Sequence, residues 1–268
     1  MLSRDEVAGF FAFGFVVLRG CLATAERKNL ERAYNRLMET AAPYNYFGEA
    51  GTRTARAAEE KDPVFARFVV HPKITLAMAD LWGTGGLYLG CDIWSNRDDT
   101  PWHTDGHPGR SHGTVKVTTY LDEMSAAEGA LKLLPGTHLP AYSRALFQQF
   151  GYFDRGRPRL RIEADKIPGA LAVHTLPGDV IIWDTRLWHA AFKRRDGRPR
   201  RALFFSFVRD PADDILDEKF AFDTLAAQRN GEEPYYGPNF LVHGAPRSTQ
   251  MAARLEELGL ENVRPAAT

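Results

Sequence analysis

The stretch Pro177-Gly178-Asp179-Val180-Ile181-Ile182-Trp183-Asp184 decides how this chain folds. Turn-forming residues release into a short apolar run, the pattern of a buried strand rather than a helix. The same texture recurs along the chain, with further β-type runs at residues 87–94, 114–122, 130–134, 171–176 and 202–209. Asn96-Arg97-Asp98-Asp99, Pro108-Gly109 and Pro135-Gly136 divide them. Short strands in succession without intervening helical patterns predict a sandwich or barrel over residues 85–209, not a parallel α/β sheet.

Helical signals flank that core. Ser3 is suited to cap a helix, and Asp5 and Glu6 place negative charge at its N-terminus. Val7, Phe10 and Phe11 follow at helical spacing, Gly14 ends the helix, and Phe15-Val16-Val17-Leu18 reads as a buried strand. A second helix is predicted over residues 24–38, with Leu30, Ala33, Tyr34, Leu37 and Met38 on one face. Residues 40–62 read as loop, and a third helix covers 74–82 after Pro72. The tail from Asp210 is polar, then helical over 248–258 with Ser248 as its cap. No repeat, linker or low-complexity stretch divides the sequence. A single domain over residues 1–268 is expected, with a helical part at 1–84, the barrel, and a tail at 210–268.

Composition narrows the class. The chain has 268 residues, 34 basic against 34 acidic, with 44 % apolar and 25 % charged residues. Those values fit a globular protein and exclude disorder, coiled coil and collagen. At 30.0 kDa, such a chain buries roughly three-quarters of its unfolded surface. Zero net charge and a pI of 7.1 argue against a nucleic-acid or membrane-surface binder. Cys21 and Cys91 are too few for a disulfide scaffold or a thiolate cluster, so a reducing cytoplasm is expected. The apolar run at 10–18, followed by Ala23-Thr24-Ala25, imitates a secretory leader. Arg4 is opposed by Asp5 and Glu6, however, where a leader needs net positive charge. The run is also too short to cross a bilayer, and is read as core.

The chemistry concentrates in Pro101-Trp102-His103-Thr104-Asp105-Gly106. On an extended strand, residues i and i+2 point to one side, roughly 6 to 7 Å apart at the backbone, so His103 and Asp105 can converge on one ion. Neither a thiolate nor a second carboxylate stands beside them, which disfavours a soft-metal or calcium cage. A third ligand must come from elsewhere in the barrel. By itself His-x-Asp is common, and a polar loop pair is its bland reading. A second segment runs from Gly178-Asp179 to Leu187-Trp188-His189-Ala190, where a lone His beside Trp reads first as a core histidine. Eleven residues later, Arg200 opens the apolar run Ala202-Leu203-Phe204-Phe205-Ser206-Phe207. A buried Arg is costly without an anion, and its two-pronged donor array suits a carboxylate.

Taken together, three segments resemble the phytanoyl-CoA dioxygenase family of non-haem iron(II), 2-oxoglutarate-dependent oxygenases. They are His103-x-Asp105, Glu128-Gly129-Ala130-Leu131-Lys132-Leu133-Leu134-Pro135-Gly136-Thr137-His138, and Gly178-Asp179 through His189 to Arg200. The opening Gly14-Phe15-Val16-Val17-Leu18-Arg19-Gly20 is similar to that family's first strand. The likeness implies a mainly β fold with flanking helices, built on a double-stranded β-helix (a jelly-roll, cupin-like core). It implies His103, Asp105 and His189 as ligands of iron(II), a set that leaves three coordination positions open. 2-Oxoglutarate and dioxygen would take those positions, Arg200 would pair with the distal carboxylate of 2-oxoglutarate, and Thr118 would add a hydroxyl to it. Oxidative decarboxylation would release succinate and CO2 while a substrate is oxidised. Related halogenases carry a small residue where Asp105 stands, so hydroxylation of a small molecule is favoured over halogenation.

Other residues have plainer readings. Arg194, Arg195, Arg198 and Arg201 rival Arg200 as the anion partner, in a basic loop over 193–201 that reads as solvated and partly anion-facing. His107 and His112 read as loop residues, although they could line a substrate mouth. His138 reads as a stabiliser of its turn and His174 as core. Trp94, Trp102, Tyr44 and Tyr46 read mainly as core material. The expected protein is a cytoplasmic oxygenase with no membrane or nucleic-acid partner. A cupin-like metal or ligand binder without turnover is the alternative from another class. Desaturation, epimerisation or cyclisation are alternatives within the oxygenase class. Substrate contacts would come from residues 40–62, 106–113 and the Tyr235-Tyr236-Gly237-Pro238 region.

Overall fold

The computed structural model describes residues 1–43, 52–105, 114–162, 167–210 and 236–258. His107, His112, Tyr44, Tyr46 and Tyr235 lie outside them. Helix α1 (Arg4–Phe13) starts as its sequence dictates: the Ser3 hydroxyl accepts the Glu6 N–H, and the Glu6 carboxylate accepts the Ser3 N–H. Gly14 ends it at φ +86°. A Cβ there would also sit 2.7 Å from the His138 ring and 2.9 Å from Leu187, so glycine is required twice over. Of the α1 face, Phe10 is buried, whereas Phe11 stands exposed. Strand β1 (Phe15–Leu18) and helix α2 (Thr24–Thr40) follow. The expected α2 face forms, with Leu30, Ala33, Tyr34 and Leu37 buried.

The described residues of the 40–62 stretch hold more order than expected. They contain β2 (Ala42–Pro43), β3 (Arg53–Arg56) and the short α3 (Ala58–Lys61). Next come α4 (Pro63–Val69), capped by Asp62, and α5 (Pro72–Trp82), each with proline in its first turn, where no N–H is lost.

The strands are β4 (Leu87–Asn96), β5 (Thr100–His103), β6 (Thr114–Tyr120), β7 (Lys132–Leu133), β8 (Gly151–Asp154), β9 (Arg157–Leu160), β10 (Leu171–Ala172), β11 (Val180–Asp184), β12 (His189–Ala191) and β13 (Arg200–Val208). Helix α6 (Pro140–Phe150) interrupts them, and α7 (Pro238–His243) and α8 (Arg247–Glu257) close the described chain. Ser248 does not cap α8. It is buried in the first turn with its hydroxyl on the Leu241 carbonyl, because the helix begins at Arg247 beyond Pro246.

Two antiparallel sheets form, in the orders β1-β11-β6-β13-β4-β3-β2 and β10-β7-β12-β5-β9-β8. Alternation along the strands assigns their faces. In the larger sheet Val115, Val117, Val180, Ile182, Leu203, Phe205 and Phe207 turn outward into one core with the helices. Ile181, Trp183, Tyr120 and Ala202 turn inward, where Leu131 and Leu133 meet them. The outer face of the smaller sheet packs Trp102, Leu134, Leu160, Trp188 and Ala190 under α6. Both faces of the larger sheet are covered, so its strands are apolar without strict alternation. His174 is not core: its strand ends at Ala172, and its exposed ring pairs with Glu123 at 3.0 Å. No helix among the described residues is long and apolar enough to cross a membrane.

Candidate metal centre

His103 closes β5 and His189 opens β12, and the two residues face each other across one antiparallel ladder. Their neighbours Trp102 and Ala190 pack outward, so both imidazoles turn into the barrel. Each ring is oriented by its own backbone. The Nδ1–H of His103 donates to the Pro101 carbonyl at 2.9 Å, and that of His189 to the Leu187 carbonyl at 3.0 Å. A carbonyl only accepts, so Nδ1 carries a proton in each ring and Nε2 is the nitrogen turned toward Asp105.

Asp105 follows β5, tied down by its N–H to the Thr185 carbonyl at 3.0 Å. Its Oδ1 lies 3.6 Å from His103 Nε2 and its Oδ2 3.3 Å from His189 Nε2. Cis ligands on one ion with bonds of roughly 2.1 Å stand roughly 3 Å apart, so these donors fit a facial two-histidine, one-carboxylate set. The trio is also the group of potential metal ligands found among the described residues.

Electrostatics favour the ligating protonation states. Burial, then the second imidazole, hold His103 well below the ordinary histidine value, against the pull of Asp105; the Arg159 charge adds to the depression. Burial would raise the Asp105 carboxyl, but Lys116, 2.7 Å away, and the two imidazoles hold it well below the usual range. Lys116 is correspondingly raised by Asp105 against its own burial. Its ammonium also lies over the Trp183 and Phe204 rings, at 5.9 and 5.6 Å.

The rest of the inner face is read from register. Thr118 pairs with Phe204 and Ile181, and Lys116 with Ser206 and Trp183, so Lys116, Thr118, Tyr120 and Trp183 share it with Arg200. The buried Thr118 hydroxyl accepts the Trp183 indole N–H at 2.8 Å and retains its own proton for a further acceptor. Arg200 is 3 % exposed and donates to the carbonyls of Phe192 and of Asp98, the latter at 2.7 Å. The rivals are spent or turned away. Arg194 and Arg198 pair with Asp196, Arg201 with Asp122 and Glu31, and Arg195 is exposed.

The Pro135-Gly136-Thr137-His138 turn supports this site from outside. The Thr137 hydroxyl accepts the Trp188 N–H at 3.0 Å, directly before His189, and His138 Nε2 bonds the Phe11 carbonyl at 3.0 Å. Gly129, at φ +77°, lets the chain pass the Phe192 carbonyl and the Arg200 side chain, where a Cβ would stand 2.3 Å from that oxygen. Lys116 and Arg159 escape a motif search. Their only signal is a charged side chain on an inward parity.

The family model of phytanoyl-CoA dioxygenase matches residues 10–202. This chain belongs to the phytanoyl-CoA dioxygenase family. As a member it is an iron(II)/2-oxoglutarate-dependent oxygenase, an oxidoreductase using dioxygen. No curated protein matches the sequence significantly. Among solved structures, the epimerase SnoN, in complex with Fe3+, alpha ketoglutarate and nogalamycin RO, is 17 % identical. Its TM-score is 0.60, over 76 % of this chain and 82 % of its own. EctD from S. alaskensis, in its apoform, is 18 % identical with a TM-score of 0.60 over 78 % of each chain. HygX from Streptomyces hygroscopicus, with nickel and 2-oxoglutarate bound, is 16 % identical with a TM-score of 0.61, over 77 % and 87 %. At such identities these likenesses establish the jelly-roll fold alone.

Proposed function

We propose that this oxygenase hydroxylates a small molecule, with His103, Asp105 and His189 as the iron ligands. The observation that carries the reading is the convergence of two imidazole nitrogens and one carboxylate oxygen within 4.8 Å, inside the barrel. Bound there, iron(II) would supply oxygen activation coupled to decarboxylation of 2-oxoglutarate. The protein's own share is placement. Arg200, buried without a carboxylate partner among the described residues, would hold the distal carboxylate of 2-oxoglutarate, and the Thr118 hydroxyl would donate to the same molecule. Trp183, Phe204 and Tyr120 would keep water from the inner face. Asp105 supports hydroxylation over halogenation, since a carboxylate fills the position that a halide would need. Small-molecule substrates agree with HygX, which has been crystallised with hygromycin B, and with EctD, crystallised with 5-hydroxyectoine.

One domain is the simplest organisation, because residues from Phe10 to Leu255 share a single core. A reducing cytoplasm suits Cys21 and Cys91, which are both buried and free.

The test is succinate formation under oxygen with added iron(II) and 2-oxoglutarate, alongside calorimetric titration of 2-oxoglutarate. Metal-dependent binding and succinate release are expected, both lost in a His103→Ala, Asp105→Ala double variant. Arg200→Gln should keep metal affinity while weakening 2-oxoglutarate roughly tenfold or more, the cost of a lost charged hydrogen-bond pair. Full metal binding in the double variant would remove the ligand assignment. A metal-binding protein with no affinity for 2-oxoglutarate would be a cupin-like binder instead.

A further inference from the structure

One buried charge near the centre is left without an employer by this reading. Arg159, on β9, stands directly across the ladder from His103 on β5, so both side chains leave the sheet on the same face. The residue is 1 % exposed, and its Nε and Nη1 have no hydrogen-bond partner among the described residues. The carboxylate it pairs with among the described residues, that of Asp154, lies 4.0 Å away from Nε and is half exposed, beyond hydrogen-bonding reach. A guanidinium taken out of water with idle N–H groups is costly unless an anion meets it. Asp105, the acid at the centre, is already engaged by Lys116 at 2.7 Å. Among the described residues, the inner face beside His103 therefore carries a positive charge with vacant donors and no hydrogen-bonded anion.

We propose that Arg159 anchors a carboxylate of the primary substrate, so that the oxygenase acts on a monoanionic organic acid held beside His103. One guanidinium balances one negative charge, which matches a carboxylate better than a phosphate dianion. Arg200, which opens the central strand β13 of the other sheet and is bonded to the Phe192 and Asp98 carbonyls, is the separate donor for 2-oxoglutarate. The two arginines thus give the two acids separate berths. This inference rests on the oxygenase reading of the site.

The experiment loads the protein with nickel(II) and 2-oxoglutarate, which together do not turn over. Hexanoate, phenylacetate and indole-3-acetate are then titrated, each against its own primary amide, by calorimetry and saturation-transfer NMR. At least one acid should bind roughly tenfold or more tightly than its amide. Arg159→Gln should erase that preference and Arg159→Lys should retain part of it, with 2-oxoglutarate affinity unchanged in both. Thermal melts identify which variants are folded, and the lysine variant preserves the test if the glutamine variant is not.

Equal binding of acids and amides, no binding of any acid, or a preference that survives in Arg159→Gln would overturn the proposal. So would displacement of the acid by inorganic phosphate, or a fall in 2-oxoglutarate affinity on losing Arg159, which would make it part of the co-substrate clamp. Absence of metal-dependent 2-oxoglutarate binding in the wild type would instead sink the parent reading.

Discussion

Lys116 and Asp105 show how one contact sets the state of a candidate ligand. Burial alone would push the carboxyl toward its neutral form, yet the ammonium 2.7 Å away outweighs that and keeps it ionised. The same contact fixes the rotation of the carboxylate. Partners of this outer kind are worth about 10- to 100-fold in metal affinity. Lys116→Met should therefore weaken nickel(II) binding by about that factor in calorimetry, while Arg198→Gln, on the exposed loop, leaves it unchanged. The candidate ligands were legible in sequence because His-x-Asp, the later histidine and the arginine after it keep their chemistry and spacing. Lys116 and Arg159 were not. Lys116 shares the inward parity of Thr118, but a lone charge on a strand names no role until the sheet shows what it meets. His174 failed in the opposite sense, since apolar neighbours in sequence suggested burial that the short β10 does not provide.

At the level of elements, the turn before β11 is pinned by Asp179. Its carboxylate accepts the N–H groups of Gly20 and Leu176, at 2.8 and 3.0 Å, and the Arg19 guanidinium at 2.7 Å, tying β11 to the end of β1. Burial opposes its ionised form, but these donors hold the carboxyl below its ordinary value. A depressed carboxyl stabilises the fold above its unfolded value of about 3.9, and that contribution disappears as pH falls through the folded value. Asp179→Asn should cost about 2 kcal/mol at neutral pH. Urea unfolding at a series of pH values should show the gap to wild type closing below about pH 4. Strand β11 was legible to the residue because a Pro-Gly-Asp turn and a charged end bound it. Helix α6 and strands β8, β9 and β12 were not, as their short runs mix charge and aromatics and draw their order from the sheet and from Trp188. Strands at 130–134 and 171–176 shrink to two residues each, where the continuous ladder runs, while Thr175 makes a lone bridge to Met124.

Over the whole molecule, five layers stack: helix α6, the smaller sheet, the inner core, the larger sheet and the remaining helices. The last helices belong to this stack. Phe240 of α7 is fully buried against Tyr88 of β4 and Tyr236, at ring distances of 5.4 and 5.2 Å, and the Tyr236 hydroxyl donates to the Tyr88 carbonyl at 2.8 Å. Phe240→Ala should cost about 3 to 5 kcal/mol and lower the melting midpoint in one cooperative transition. Two separate transitions in calorimetry would divide the chain into independent units.

The facing of His103 and His189 across a single rung has its own consequence. Slipping either strand by one residue would send one imidazole to the wrong side of the wall. An ion held by both would therefore inspect the zippering of β5 against β12, since only the correct threading brings the two imidazoles together. Were iron seated there, its capture would report that the smaller wall had closed in register.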